Sequence, residues 1–138
     1  MLTSKILLLA EGVVRDAETN NISVFNIMEE INSPQYPVVI PKVHIFNMLE
    51  RKEGDQERYI CKYEITIGDE KILSNELDVV FQDTLLARNI IFIGGFPVIR
   101  PDIITVSVSV EDHTLDTYTV FAKQTIANNG MAVGSESQ

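Results

Sequence analysis

Residues 59–67 read YICKYEITI, and this segment decides the fold. Apolar side chains at positions 59, 61, 63, 65 and 67 alternate with Lys62, Glu64 and Thr66. Successive side chains of a β-strand point to opposite faces, so a period of two predicts a strand with one face in a core and the other toward water. The segment Ile104–Val110 repeats the pattern, with Ile and Val alternating with Thr and Ser.

The rest of the chain has the composition of a β protein. Ile, Val and Thr together number 40 residues, against 16 for Leu and Ala. Branching at Cβ favours strands and lowers helix propensity, and turn residues recur at even intervals. We therefore predict an all-β fold, a two-layer antiparallel β-sandwich of about eight strands. The predicted strands are Lys5–Arg15, Asn21–Ile31, Lys42–Arg51, Tyr59–Ile67, Leu73–Phe81, Asn89–Ile93, Ile104–Val110 and Thr117–Lys123.

The 138 residues predict one domain, residues 1–123, followed by a flexible C-terminal tail. The tail, Gln124–Gln138, is rich in Asn, Gly, Ser and Gln. Two irregularities are also predicted. A slip of the apolar pattern near Val24 and Phe25 predicts a β-bulge. Gly94-Gly95 is predicted to end the sixth strand with a chain reversal, since glycine permits conformations that other residues avoid.

The charge of the chain excludes several classes of partner. Lys and Arg number 11 and Asp and Glu 20, which gives a formal net charge of −9. An acidic chain whose few basic residues are scattered repels phosphate, so we expect no nucleic-acid partner and no anionic membrane surface.

The apolar run that begins at Ile6 has five residues, short of the ~7–15 of a signal peptide. A single cysteine, Cys61, fits a reducing cytoplasm.

The chain also resembles a known group, a family of small uncharacterised bacterial proteins. The likeness covers roughly residues 5 to 123 and begins with LLAEGVVRD at 8–16, followed by SVFNI at 23–27. It continues through Pro37–Pro41, the strand Val43–Leu49 and the late strands Ile103–Val110 and Thr117–Ala122. The resemblance implies a compact β-sandwich with no assigned activity, and it supplies no catalytic residues.

One cluster has the residue types of a metal site. Glu111, Asp112, His113 and Asp116 lie close together in sequence, and carboxylates with imidazole can hold a divalent ion. The same residues sit where a hairpin turn is predicted between the last two strands, and turns collect polar side chains. The turn is the interpretation we favour, so we predict no cofactor and no metal and keep these four residues as candidates.

Nucleophilic chemistry finds little support in the sequence. Cys61 is in phase with Tyr63 and Ile65, so it is predicted to be buried, and a buried apolar thiol is unreactive. His44 is out of phase with Val43 and Ile45, which predicts that it faces away from the core. We therefore predict no catalytic residues.

The longest uncharged apolar stretch is IIFIGGFPVI, residues 90–99. Pro97 and Pro101 are expected to break strand pairing beyond Gly95. Phe96, Val98 and Ile99 then either plug one end of the sandwich or form an exposed patch beside Arg88 and Arg100. The second arrangement would make Phe96, Val98, Ile99 and Arg100 a partner-binding or self-association surface.

Three functions fit these observations. The first is a non-catalytic β-sandwich that acts through protein–protein contact, with another protein or with a second copy of itself. The second is an enzyme with an acidic site near His113, with or without a metal ion. The third is a structural subunit of a phage or another assembly, for which a small acidic sandwich is also suited.

Overall fold

The structure is a computed structural model that describes residues 1–126. This part of the chain forms nine β-strands and no helix, so it contains no helix that could cross a membrane. The strands are β1 (Thr3–Arg15), β2 (Ile22–Ile27), β3 (Glu30–Ser33), β4 (Val38–Glu50), β5 (Arg58–Ile67), β6 (Glu70–Val80), β7 (Leu86–Val98), β8 (Ile103–Val110) and β9 (His113–Gln124).

The strands form two sheets, which confirms the predicted all-β sandwich. The four-stranded sheet has the order β2-β1-β4-β7, and the five-stranded sheet has the order β3-β9-β8-β5-β6. All neighbours are antiparallel except β3 and β9. The sheets enclose one core, and its members in β5 and β8 alternate along the strand as predicted. Cys61, Tyr63, Ile65, Ile67, Ile104, Val106 and Val108 are all fully buried.

Nine strands agree with the prediction of about eight, and the additional strand arises because the expected strand Asn21–Ile31 is split between the two sheets. Asn26 adopts a left-handed conformation (φ 56°), and the next strand joins the opposite sheet. Met28 is buried at this crossing, and its N–H donates to the carbonyl of Leu9 at 2.9 Å. The predicted bulge at Val24-Phe25 was wrong, because the pairing of β1 with β2 is continuous there. The apolar pattern slips because Phe25 and Ile27, each 49% exposed, follow the half-buried Val24 in β2.

The prediction that Gly94-Gly95 ends a strand was wrong, because β7 continues to Val98 and stays paired with β4. Ile91 and Ile93 pack against the core, yet so do Phe96 and Val98, so the inward face changes from odd to even positions. The change falls at Gly95, whose φ of +69° is accessible to glycine at little cost. Pro97 is tolerated because β7 is an edge strand.

Two further boundaries differ from prediction near the C-terminal end. The turn between β8 and β9 consists of Glu111 and Asp112, both with positive φ (50° and 66°), and His113 already belongs to β9. Gln124 is the last residue of β9, and the N–H of Thr125 donates to the carbonyl of Ser33 at 2.9 Å. The predicted tail therefore does not begin at residue 124. Its remaining part, residues 127–138, lies outside the described residues.

Cys61 offers a direct check of the strand register. It is fully buried, and burial raises the pKa of its thiol to about 11. We expect a thiol reagent at neutral pH to label native protein far more slowly than protein in denaturant, because only the thiolate reacts. Labelling followed by mass spectrometry measures both rates. Equal rates would contradict the register, since a slip by one residue turns every β5 side chain to the other face.

Candidate functional site

The four metal candidates of the sequence lie at the β8–β9 hairpin. Glu111 and Asp112 form its tip, and Asp116 lies further along β9. The Asp116 carboxylate accepts hydrogen bonds from the hydroxyl of Ser4 (2.9 Å) and from the backbone N–H of Thr117 (2.9 Å). Nowhere in residues 1–126 do three or more His, Cys, Asp or Glu side chains form a group that could hold a metal ion. The structure therefore does not bring these candidates together as a site.

The partner-binding candidates of the sequence belong mainly to the core. Phe96 is 1% exposed and Val98 is fully buried, while Ile99 packs against the core from its margin. Arg100 binds Glu70 (3.2 Å) and Asp102 (3.3 Å), and it donates to the carbonyl of Ile67 at 3.0 Å. Of the two arrangements predicted for this segment, the exposed patch was wrong, because the change of face at Gly95 turns its large side chains inward. The burial of Phe96 and Val98 agrees with the alternative that these side chains fill the core, which they do from a paired strand.

The outer face of the four-stranded sheet is partly covered by the chain itself. The tip of the β1–β2 hairpin reaches β7, where Arg88 Nη1 donates to the carbonyl of Asn20 at 2.7 Å. Apolar residues of β2 and of the sheet line one shallow cavity between them: Ile6, Leu8, Ile22, Val24, Phe46 and Met48. Phe46 lies outside the main core and is nevertheless only 3% exposed. The hairpin therefore folds back over this face.

The hairpin leaves part of the outer face uncovered at its margin. Ile90 is 44% exposed and Phe92 is 59% exposed, and both stand on the outer side of β7. His44 flanks them, with its ring centroid 5.1 Å from that of Phe92. Its Nδ1 lies 3.1 Å from the carbonyl oxygen of Glu11, and because a carbonyl only accepts, this nitrogen carries the proton. His44 thus faces away from the core, as predicted, and supports the exposed aromatic ring.

The backbone of β7 is free on the side away from β4. The N–H of Arg51 donates to the carbonyl of Leu85 at 2.9 Å, and the pairing continues without a shift from there to Gly94. Hydrogen-bonded and non-hydrogen-bonded residue pairs alternate along an antiparallel ladder. The backbone N–H and C=O groups of odd-numbered β7 residues therefore point toward β4, and those of even-numbered residues point away from it. Among the described residues no strand pairs with this outward side. Arg88, Ile90, Phe92 and Gly94 therefore present unpaired N–H and C=O groups.

The other three edge strands have features that protect them from pairing with a foreign strand. β3 has four residues, and β2 has six and ends beside Asn26 with its positive φ. β6 is long but carries Glu70, Lys71, Glu76 and Asp78. Short strands and charged side chains discourage pairing with a foreign strand. β7 has thirteen residues and a single charged one, Arg88, so it is the edge best suited to accept another strand. We call the outward backbone of residues 88–94, with Ile90 and Phe92, the β7 edge.

Charge is distributed unevenly between the two sheets. Residues 84–101, which contain β7, include no Asp or Glu, although the chain has 20 such residues. The strands of the four-stranded sheet carry more basic than acidic residues, namely Lys5, Arg15, Lys42 and Arg88 against Glu11 and Glu50. Those of the five-stranded sheet carry more acidic than basic ones, namely Glu30, Glu64, Glu70, Glu76, Asp78 and Asp116 against Arg58, Lys62, Lys71 and Lys123. The β7 edge therefore lies on the less acidic of the two sheets.

A buried polar chain joins the two sheets. The hydroxyl of Tyr63 donates to Asn47 Oδ1 (2.6 Å) and accepts from Asn89 Nδ2 (2.9 Å). Asn47 Nδ2 donates to the Ser4 hydroxyl (3.0 Å) and to the carbonyl of Ile6 (2.8 Å). Burial raises the pKa of Tyr63, so its hydroxyl stays protonated. These groups satisfy one another, which is the pattern of a structural network.

Comparison of the sequence with models of known protein families gives a match. The model of one protein family matches residues 5–122. The chain belongs to DUF6941, a family of unknown function. This match confirms the predicted membership of an uncharacterised family, and it extends from within β1 to within β9. The expected bacterial origin stays a prediction. No curated protein matches this DUF6941 chain significantly.

Sequence reasoning identified the correct segment and the wrong side chains. The uncharged stretch 90–99 was singled out, but Ile90 and Phe92 are its exposed members, whereas Phe96 and Val98 are buried. Which half is exposed depends on the change of face at Gly95, which the sequence suggested only as a break. The folding of the β1–β2 hairpin over Phe46 and the buried polar chain were missed, because both depend on contacts between residues far apart in sequence.

Proposed function

We propose that this DUF6941 protein is a non-catalytic binding module that acts through protein–protein contact at the β7 edge. The observation that carries the proposal is an unpaired edge strand with two exposed apolar side chains and one charged residue. Edges of this kind are templates for pairing, and soluble proteins usually protect them. Retention of such an edge, in a protein whose other three edges are blunted, supports a role in binding.

The contact would form by addition of a strand to the four-stranded sheet. An incoming strand would satisfy the outward N–H and C=O groups of β7, which provides affinity largely independent of side chains. Ile90 and Phe92 would provide selectivity, because cross-strand pairs of aromatic and β-branched residues are favourable. The absence of acidic residues from 84–101 would let a partner approach without repulsion. A reducing cytoplasm is the setting we propose for the single buried thiol of Cys61.

A structural subunit of a phage or other assembly is a second candidate, and one observation favours it. The outer face of the five-stranded sheet also exposes an apolar pair, Ile103 and Phe121, which lie opposite each other on β8 and β9. Two apolar surfaces on opposite sheets would let subunits join in series. The enzyme hypothesis has no comparable support, because Glu111, Asp112, His113 and Asp116 do not form a metal-binding group.

Site-specific photo-crosslinking tests the proposal. A benzoyl-phenylalanine at position 92 should give crosslinked adducts when the full chain is irradiated in the cells that naturally produce it. The same group at position 60 is the control, because Ile60 is 58% exposed and Phe92 is 59% exposed, but Ile60 lies on the other sheet. Mass spectrometry of the adducts identifies the contacted peptide.

The pattern of adducts distinguishes the candidates. Adducts at position 92 and none at position 60 would support binding at the β7 edge. A third probe at Phe121, which is 46% exposed on the five-stranded sheet, tests the assembly subunit: adducts at both 92 and 121 would favour that role, since it requires both sheets. An absence of adducts at 92, or equal yields at 92 and 60, would overturn the proposal.

A further inference from the structure

The free part of the β7 edge has a defined length and a defined centre. At one end the carbonyl of Leu86 lies 3.0 Å from the Thr84 hydroxyl, whose single proton is shared between this carbonyl and that of Phe81. At the other end the positive φ of Gly95 changes which side of the strand faces the core. The backbone available to a partner strand therefore runs from residue 88 to residue 94. Its midpoint is Ile91.

We infer that the partner strand is β7 of a second copy of this chain, paired antiparallel about a two-fold axis at Ile91. This inference rests on the proposed function and names the partner for the same edge. In a two-fold antiparallel pair, residues whose numbers sum to a constant lie opposite each other. An axis at Ile91 places Ile90 opposite the partner's Phe92 and Arg88 opposite the partner's Gly94. Two four-stranded sheets then join as one sheet of eight strands.

The hydrogen-bonding phase of the strand suits this register. The outward backbone groups belong to Arg88, Ile90, Phe92 and Gly94, all of even number. With the axis at Ile91, each even residue faces another even residue, so the two copies can exchange N–H···O=C bonds directly. A register shifted by one residue would set outward groups opposite inward ones and would lose these bonds.

The side chains of the edge are self-complementary in this register. Ile90 and Phe92 of each copy pair across the junction on the outer face, where both are now exposed, and this aromatic and β-branched combination is favourable in sheets. Arg88, the one charged residue of β7, does not meet its own copy. Its guanidinium is already held by the Asn20 carbonyl.

Charge explains why two copies would meet at this place. Two chains of net charge −9 repel each other, so self-association is least opposed where acidic residues are absent. Residues 84–101 contain none, and the strands of this sheet carry a small excess of basic residues. The edge strand β6 of the other sheet has three acidic residues and would oppose its own copy.

Disulfide trapping of the purified full chain tests both the partner and the register. In the Ile91→Cys variant the two introduced thiols face each other across the axis, with Cα atoms ~4.5–5.5 Å apart, which suits a disulfide. In the Ile93→Cys variant they are four residues out of register, ~13 Å apart, and cannot join. Both positions are half-buried isoleucines on the same face of the same strand, so they are matched controls. Native Cys61 is buried and does not compete.

Mild oxidation should convert most of the Ile91→Cys protein to a disulfide-linked dimer and leave the Ile93→Cys protein monomeric. Sedimentation of the unaltered chain should show a species of twice 15.5 kDa. Phe92→Lys should raise the dissociation constant of that dimer at least about tenfold, since two aromatic pairs are lost at once. Ile60→Lys should leave it unchanged.

Equal trapping of the two cysteine variants, or trapping of Ile93→Cys alone, would overturn the inference. A monomer at all concentrations would do the same. If the purified chain is monomeric while position 92 still crosslinks to a different protein in cells, self-pairing fails and the proposed function stands. If neither occurs, both fail.

Discussion

Phe96→Asp should destabilise the protein by more than ~4 kcal/mol and lower its melting temperature by ~10 °C or more. Phe96 is 1% exposed and packs in the core on the strand that forms the proposed binding edge. Removal of a buried phenylalanine side chain costs ~3–5 kcal/mol through lost contacts and a residual cavity. The substitution also places a carboxylate in an apolar site, where it must either be protonated or draw in water.

Phe92→Asp is the matched control for this prediction. It makes the same change four residues away on β7, at a side chain that is 59% exposed. We expect the free energy of unfolding to change by less than ~1 kcal/mol, because little apolar surface is lost from the core. Denaturant titration of both variants measures the difference. If both variants unfold at the same midpoint as the unaltered chain, the assignment of Phe96 to the core is wrong.

The different burial of Phe92 and Phe96 shows how far burial could be predicted from the sequence alone. In β5 and β8 one face stays inward along the whole strand, so alternation of residues was sufficient to predict burial. In β7 the inward face changes at Gly95, and the same rule then assigns the wrong residues to the surface. Glycine permits such a change but does not require it. β7 stays paired with β4 on both sides of Gly95, through Gly94 with Lys42 and Phe96 with Ile40, and these partners lie more than fifty positions apart in the sequence.

The division of the expected strand Asn21–Ile31 has the same origin. The sequence signalled an irregularity near Val24-Phe25, but a bulge and a crossing between sheets both interrupt the apolar pattern. The crossing is fixed by the burial of Met28 and by its hydrogen bond to Leu9, which lies nineteen residues earlier. The sequence pattern shows that the alternation of apolar residues is interrupted in this segment. Contacts between residues far apart in sequence determine that the interruption is a crossing between sheets.

Asn47→Leu should cost ~3 kcal/mol or more, the second large effect that we expect. Leucine keeps the branching of asparagine with methyl groups in place of Oδ1 and Nδ2, so the change removes every side-chain hydrogen bond and adds some volume. It leaves the Tyr63 hydroxyl and the Ile6 carbonyl without their partner at this position. Each buried polar group left unsatisfied costs ~1–3 kcal/mol. Urea unfolding compares the variant with the unaltered chain.

Tyr63→Phe separates the hydrogen bond from the packing of the ring. It keeps the aromatic ring in the core and removes the hydroxyl that joins Asn47 of β4 to Asn89 of β7. We expect a cost of ~1–3 kcal/mol, because the two amide groups lose a partner. Tyr59→Phe is the control on the same face of β5. Tyr59 is only half-buried, so we expect its substitution to be nearly neutral.

The double variant decides whether these groups act as one network. Once Asn47 is replaced by leucine, the Tyr63 hydroxyl is an orphan in the core, and its removal should recover stability. The cost of the double variant should therefore fall short of the summed single costs by ~1–2 kcal/mol. Additive costs would contradict the network. Coupling of this size would show that Tyr63, on the interior strand β5 of one sheet, stabilises the position of β4 and β7 in the other sheet. It would thereby stabilise β7, the strand whose free edge we propose as the binding site.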